Sequence, residues 1–229
     1  MNPKQVAAEK AVEFVEDGMI VGLGTGSTAF WATQKIAQRI SEGLTIRAVA
    51  SSASTEALAG QLGIPLVPFS GIDHIDITID GADEVDDQLN LIKGGGGALL
   101  REKILARNSS RFYVVVDETK RVHRLGRFPL PVEIVPFASN LTIHRLQELN
   151  CEPVVRMVQG SPFITDNGNL IVDCSFKEIL NPVELQQQIN LIPGVVENGL
   201  FVGMPTAVVV GYGDGTIQIL EPQNRSGHS

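Results

Sequence analysis

Ile75-Asp76-Ile77-Thr78-Ile79-Asp80-Gly81-Ala82-Asp83-Glu84, and a little further on Lys93-Gly94-Gly95-Gly96-Gly97-Ala98-Leu99-Leu100-Arg101-Glu102-Lys103, form the stretch that decides this fold. Its first five residues alternate apolar and polar, as a strand with one buried face does. Two carboxylates, Asp80 and Asp83, leave the end of that strand. A lysine then opens a run of four glycines, and a third carboxylate, Glu102, follows on a predicted helix over 98–107. Ordered glycines lose more backbone entropy than other residues, so a loop kept only for shape would seldom use four. Their expected use is close approach of backbone N–H groups to something small and polar. Asp80 and Asp83 sit at a strand C-terminus, where open α/β sheets place their ligands.

Upstream, a helical pattern over 4–16 ends at Asp17-Gly18, and Met19-Ile20-Val21-Gly22-Leu23 is a continuous apolar run, as in a strand buried on both faces. A glycine turn, Gly22-Leu23-Gly24-Thr25-Gly26-Ser27-Thr28, leads into a helix over 28–40. A strand over 46–50, a helix over 55–62, a short extended piece at Leu66-Val67-Pro68 and, after the glycine run, a strand over 112–116 continue the alternation. Strands alternating with helices predict right-handed βαβ units and a mostly parallel sheet.

The texture changes near Val122. Residues 128–136 are extended and proline-rich, which predicts a crossing between domains. A helix over 139–149, a strand over 153–158 and a hairpin follow, the last with 163–165 and 170–172 flanking Asp166-Asn167-Gly168-Asn169. Asn181-Pro182-Val183-Glu184 starts another helix with a cap, a proline at its first position and a carboxylate in its first turn. Strands over 206–210 and 217–220 are expected to return to the first sheet, and 221–229 to be a frayed polar tail. The predicted class is therefore α/β. A Rossmann-like, mostly parallel sheet domain (1–124 plus 201–229) carries an inserted smaller α+β, ferredoxin-like domain (125–200).

The 229 residues suffice for two modest cores, and 43% hydrophobic with 19% charged residues describes an ordinary globular protein. A net charge of −8 without any basic block argues against nucleic acid, though local lysines can still dominate a cleft that takes a phosphorylated substrate. Cys151 and Cys174 have neither metal-ligand nor redox spacing and are expected as two buried thiols of a reducing compartment. No apolar secretory core or bilayer-length run is visible, so the chain is expected in the cytoplasm, away from membranes.

The glycine turn joins a strand to a helix N-terminus, whose free N–H groups and partial positive charge suit a phosphate, with the Ser27 and Thr28 hydroxyls adding donors. The plain alternative is a tight turn capped by Ser or Thr. It is not the dinucleotide fingerprint, because Ser27 stands where the third glycine belongs and Ala50-Ser51-Ser52 offers no acid for a ribose. It also lacks the Gly-Lys-Ser/Thr ending of a nucleotide P-loop. Asp76, Thr78, Asp80, Gly81, Glu84 and Asp87 mimic a calcium loop, but the strand-like alternation and the missing flanking helices argue against a metal site. Taken singly, Asp80 and Asp83 could be turn caps, Lys93 a surface lysine, and Glu102 a partner of Arg101 or Lys103 on an exposed helix face. His74, His123, His144 and His228 show no ligand spacing, and no Ser/His/Asp signature is present.

Taken together, Gly24-Thr25-Gly26-Ser27-Thr28, Asp80-Gly81-Ala82-Asp83-Glu84, Lys93-Gly94-Gly95-Gly96-Gly97-Ala98 and Arg101-Glu102-Lys103 resemble ribose-5-phosphate isomerase of the A type, in order and separation, over about 4–220. The resemblance implies interconversion of D-ribose 5-phosphate and D-ribulose 5-phosphate through an enediolate, in the pentose phosphate pathway, without cofactor or metal. It implies Glu102 as the base that shuttles the proton, and Asp80, Asp83 and Lys93 as groups that open the sugar ring and stabilise the oxyanion. Thr25, Gly26, Ser27, Thr28, Gly81, Ala82, Gly94, Gly95, Gly96 and Lys120 are implied substrate contacts, with Lys4 as a further candidate for the phosphate. A homodimer or homotetramer is also implied. A free glutamate titrates near ~4.3, so burial should raise Glu102 towards working pH. The rival reading is a sugar-phosphate sensor on the same fold, which would need no base. A nucleotide-dependent oxidoreductase is weakened by Ser27 and the missing acid.

Overall fold

The computed structural model describes residues 1–222; the tail expected to fray lies, from residue 223 on, outside the described residues. Helix α1 (Pro3–Val12) begins on an Asn2 side chain that accepts the Lys4 N–H, with Pro3 at its first position. It buries Ala7, Ala8, Ala11 and Val12, small residues that let it lie close on the sheet. Then come β1 (Ile20–Leu23), α2 (Ser27–Ser41), β2 (Arg47–Ala50), α3 (Ala53–Gln61) and β3 (Ile75–Gly81). The acidic stretch makes two short strands, β4 (Glu84–Val85) and β5 (Leu91–Ile92), before α4 (Leu99–Arg107) and the long β6 (Ser109–Asp117).

The second unit runs β7 (Leu130–Ile134), α5 (Ser139–Gln147), β8 (Glu152–Val155), β9 (Met157–Val158), β10 (Ser161–Pro162), β11 (Leu170–Ser175), α6 (Pro182–Asn190) and β12 (Val195–Asn198). The chain returns through β13 (Leu200–Phe201), β14 (Ala207–Gly211) and β15 (Ile217–Leu220). The main sheet has the order β15-β14-β6-β3-β1-β2. It is parallel except for β15, which pairs antiparallel with β14. The smaller sheet has the order β12-β7-β11-β8 and is antiparallel throughout. With α5 and α6 as its connections this is the split βαβ, ferredoxin-like arrangement. Each sheet has its own apolar core, one around Val21, Ile77 and Val115 and the other around Val132, Val172 and Ile189. Among the described residues no helix is long and apolar enough to cross a membrane. Cys151 and Cys174 are buried and free.

Three local expectations change. Residues 128–136 are not a crossing alone, because Leu130–Ile134 is β7, an interior strand with every residue buried. Pro131 sits opposite Asp173, and its carbonyl still accepts the Gly199 N–H at 2.8 Å. Proline composition signals extended chain, but whether that chain is buried depends on what packs against it. The strand expected over 153–158 breaks at Arg156, which leaves the ladder between β8 and β9. The Asn-Gly hairpin closes on a single bridge, Ile164 to Leu170, rather than on a ladder. Its loop is turned inward instead. The buried Glu133 Oε1 accepts from Thr165 Oγ1 at 2.9 Å, Asn167 Nδ2 at 3.2 Å and Asn169 Nδ2 at 2.9 Å.

Candidate active site

Strand β3 delivers Asp80 to the C-terminal edge of the sheet, where its carboxylate lies directly on the backbone of the neighbouring turn. A Cβ at Gly24 would fall 2.2 Å from Asp80 Oδ1, so only glycine fits there. That oxygen accepts the N–H of Thr25 at 3.0 Å and of Gly81 at 2.7 Å. The other, Oδ2, stands 3.0 Å from Lys93 Nζ. Lys93 also donates to the Gly81 carbonyl at 2.5 Å and lies 3.3 Å from Glu102 Oε2. All three side chains are at least 97% buried, which rules out the exposed helix face as the setting of Glu102.

One lysine thus faces two carboxylates away from water, an arrangement that sets their protonation. Burial raises Glu102 to about 8; the attraction of Lys93 opposes the rise and the repulsion of Asp80 adds to it. Burial also raises Asp80, against the pull of Lys93 and of the N–H groups of Gly81 and Thr25. Lys93 is disfavoured by burial, but Asp80 and Glu102 outweigh that cost and lift it above the ordinary lysine value. Asp80 Oδ2 and Glu102 Oε2 make no hydrogen bond among the described residues, so Lys93 meets them as a charge. A permanently charged lysine beside a glutamate titrating near neutrality is a proton-transfer pair with a built-in stabiliser of negative charge.

The glycine run passes over this group. Gly94 has φ +101 and takes the sharp turn after β5, with Leu99 so close that a Cβ would sit 2.8 Å from it. At Gly95 a Cβ would meet Asp83 Oδ1 at 2.5 Å, and the Gly95 N–H donates to Asp83 Oδ2 at 2.7 Å. Asp83 therefore holds the loop from the cleft side. The inserted unit holds it from the other: Arg156 Nη1 donates to the carbonyls of Gly94 at 2.9 Å and Gly95 at 3.0 Å. The ring of Phe163 packs where a Gly97 side chain would stand.

At the mouth, α2 begins at Ser27 behind Gly26 with no side-chain cap, whereas Asn2, Ser52 and Asn181 cap α1, α3 and α6. Its first N–H groups are left to the cleft. Lys4 Nζ donates to Ser27 Oγ at 3.0 Å, and Lys120 comes from the short turn Glu118–Lys120 after β6. Thr25 Oγ1 is fixed by Ser51 Oγ at 2.7 Å and Ser52 Oγ at 2.8 Å.

One cleft is walled by Thr25, Gly26, Ser27 and Thr28, by Gly81, Ala82 and Asp83, by Lys93 with Gly94, Gly95 and Gly96, and by Glu102, Lys120 and Lys4. Of the residues singled out in the sequence only Asp80 is off that wall, buried behind Lys93. Arg156 and Phe163 were not legible beforehand: nothing in the local sequence links a strand-edge arginine of one unit to a glycine loop of the other.

A family model described as Ribose 5-phosphate isomerase A (phosphoriboisomerase A) matches residues 47–215. Ribose-5-phosphate isomerase A of Bacillus mycoides is 53% identical over 94% of this chain and 98% of its own. The Sphingopyxis alaskensis protein of that name is 51% identical over 92% of each. Among solved structures, ribose 5-phosphate isomerase A of Methanocaldococcus jannaschii superposes with a TM-score of 0.91 at 44% identity, covering 96% of this chain and 98% of that one. A D-ribose-5-phosphate isomerase in complex with phospho-erythronic acid superposes at 0.93 with 40% identity, over 96% and 100%. With a family match over most of its length, and relatives sharing half its residues end to end, this chain belongs to the ribose 5-phosphate isomerase A family.

Proposed function

We propose that this chain interconverts D-ribose 5-phosphate and D-ribulose 5-phosphate by moving one proton between C2 and C1 on Glu102. The observation that carries the reading is the buried Glu102–Lys93 pair at 3.3 Å beside the glycine loop, with Glu102 raised to about 8. A C–H next to a carbonyl is weakly acidic, so its removal needs both a base and a stabilised oxygen. In the open-chain aldose, the Glu102 carboxylate takes the C2 proton while the electron pair moves toward O1. Lys93 and the loop N–H groups face the oxygen that gains charge. The protonated Glu102 then returns the proton to C1, the O2 proton is transferred to O1, and C2 becomes the carbonyl. Atoms balance without any redox partner, and lysine with backbone donors supplies the charge stabilisation.

In this reading Asp83, on the cleft wall, assists ring opening, and Asp80 acts through Lys93 by keeping it charged and in place. The uncapped start of α2 at Ser27 and Thr28, with Lys4 and Lys120, takes the phosphate; Thr25, Gly26, Gly81, Ala82, Gly94, Gly95 and Gly96 contact the sugar. Phospho-erythronic acid, the ligand of the related structure, is a short sugar-acid phosphate whose carboxylate resembles an enediolate, which supports a phosphorylated sugar substrate and an enediolate on the path. The reading includes a cytoplasmic homodimer or homotetramer, and a division of the chain into 1–124 plus 201–229 and 125–200.

The test is to dialyse the purified protein against a chelator, mix it with ribose 5-phosphate and follow ketose formation. Turnover at an undiminished rate is expected. Binding without conversion would make the chain a sensor, and a loss restored by a divalent ion would overturn the cofactor-free mechanism.

A further inference from the structure

We propose that Arg156, carried by the inserted unit, is a positioning residue for the isomerisation: it orients the glycine-loop peptides so that the Gly96 N–H faces the reacting oxygen. The inference rests on the isomerase reading and adds a residue from outside the cleft wall. Arg156 is itself held at both ends. Asp173 on β11 accepts its Nε at 2.9 Å on Oδ2 and its Nη2 at 2.5 Å on Oδ1, a bidentate pair whose arginine is only 14% exposed. The break between β8 and β9 gives the side chain this direction. The Arg156 N–H still bonds to the Ile171 carbonyl at 2.8 Å, and its own carbonyl accepts from Phe163 at 2.8 Å. Arg156 and Phe163 are thus paired across the β9–β10 hairpin, and both reach the glycine run.

The remaining guanidinium nitrogen, Nη1, takes two successive carbonyls, those of Gly94 and Gly95. No peptide bond in the described chain is cis, so each carbonyl fixes the following N–H on the opposite side. For the Gly94–Gly95 peptide that N–H points to Asp83, a residue of the cleft wall. For the Gly95–Gly96 peptide it belongs to Gly96, which lines the cleft and makes no hydrogen bond from its N–H among the described residues. The Gly94 carbonyl also accepts the Gly97 N–H at 2.9 Å, whereas Arg156 is the donor to the Gly95 carbonyl among the described residues, so without it the Gly95–Gly96 peptide keeps the conformational freedom of glycine. Arg156 selects one orientation of that peptide by holding the Gly95 carbonyl behind the loop. Since Asp83 consumes the Gly95 donor, of these two N–H groups it is that of Gly96 that is left for an oxyanion.

The experiment compares the wild type with Arg156→Met and Arg156→Lys, measuring kcat and KM for ribose 5-phosphate and thermal melting. Calorimetric Kd values are taken for phospho-erythronic acid and for inorganic phosphate. Loss of one oriented oxyanion donor costs roughly 10²–10³-fold in kcat, and a loosened donor less, so kcat should fall ~10–10²-fold in Arg156→Met. The phospho-erythronic acid Kd should rise by a similar factor, while the inorganic phosphate Kd stays within ~3-fold, because phosphate sits on α2. Arg156→Lys, which can reach one carbonyl but cannot also fork onto Asp173, should recover part of both losses. Parallel weakening of both ligands, unchanged kcat in a folded variant, or failure of both variants to fold would overturn the proposal. The two Kd values need no turnover, so a wild type that binds both ligands but does not isomerise would refute the isomerase reading alone.

Discussion

Glu102→Gln removes the base while keeping its shape, and the structure sets two magnitudes for the outcome. General-base catalysis is worth about 10²–10⁴-fold, so kcat should fall by that range. KM should change less than ~3-fold if, as proposed, the phosphate is taken by Ser27 and Lys120, other residues of the cleft wall than Glu102. The second magnitude comes from protonation. With Glu102 at about 8, about one carboxylate in eleven is ionised at pH 7 and about ten in eleven at pH 9. Only the ionised form accepts a proton, so kcat/KM of the wild type should rise about 10-fold over that interval. Lys93 lies above its ordinary value and stays charged throughout, so no falling limb from it intrudes. Initial rates of ketose formation from ribose 5-phosphate at saturating and limiting substrate, from pH 6.5 to 9.5, give both numbers. The residual rate of Glu102→Gln should lose the rise through pH 8. A flat wild-type profile, or near-normal turnover in the glutamine variant, would refute the reasoning and move the base to Asp83, the other carboxylate on the wall.

Gly95→Ala puts a Cβ 2.5 Å from Asp83 Oδ1, so the loop must shift by a fraction of an ångström. Turnover should drop as much as ~10²-fold with little change in melting temperature; normal kcat in the alanine variant would show that the loop position is not critical. Ser27→Ala and Lys120→Met each remove a proposed phosphate contact. A hydrogen bond to a charged group is worth about 1.5–3 kcal/mol, so KM for ribose 5-phosphate should rise ~10-fold or more, with kcat less affected; an unchanged KM in both would place the phosphate elsewhere. Glu84 accepts the N–H groups of Gly126 at 2.8 Å and Phe128 at 2.6 Å, tying the start of the inserted unit to the acidic stretch. Glu84→Ala leaves both donors unpaired and should cost about 2–4 kcal/mol in urea unfolding; stability within experimental error of the parent would mean that water replaces the carboxylate at no cost.

Much of the fold was legible because the signals are local. The period of Ile75–Ile79, the apolar run ending at Leu23 and the Asn181-Pro182 cap each act within a few residues, and the structure has β3, β1 and α6 there. The cleft was legible for a related reason: Asp80, Lys93 and Glu102 follow one another within a short stretch of chain from β3 to α4, so they start close in sequence. What local sequence could not state is which groups lose contact with water. Glu102 beside Arg101 and Lys103 resembles an exposed helical ion pair, and only packing of α4 on the sheet buries it and moves its titration to about 8. Packing likewise turned the proline-rich 128–136 into an interior strand and placed Asp80 behind Lys93 rather than on the cleft wall. The contacts of Arg156 with Gly94 and Gly95 join residues of two separately cored units. No periodicity or motif encodes such a contact, since it exists only once both sheets have formed and docked.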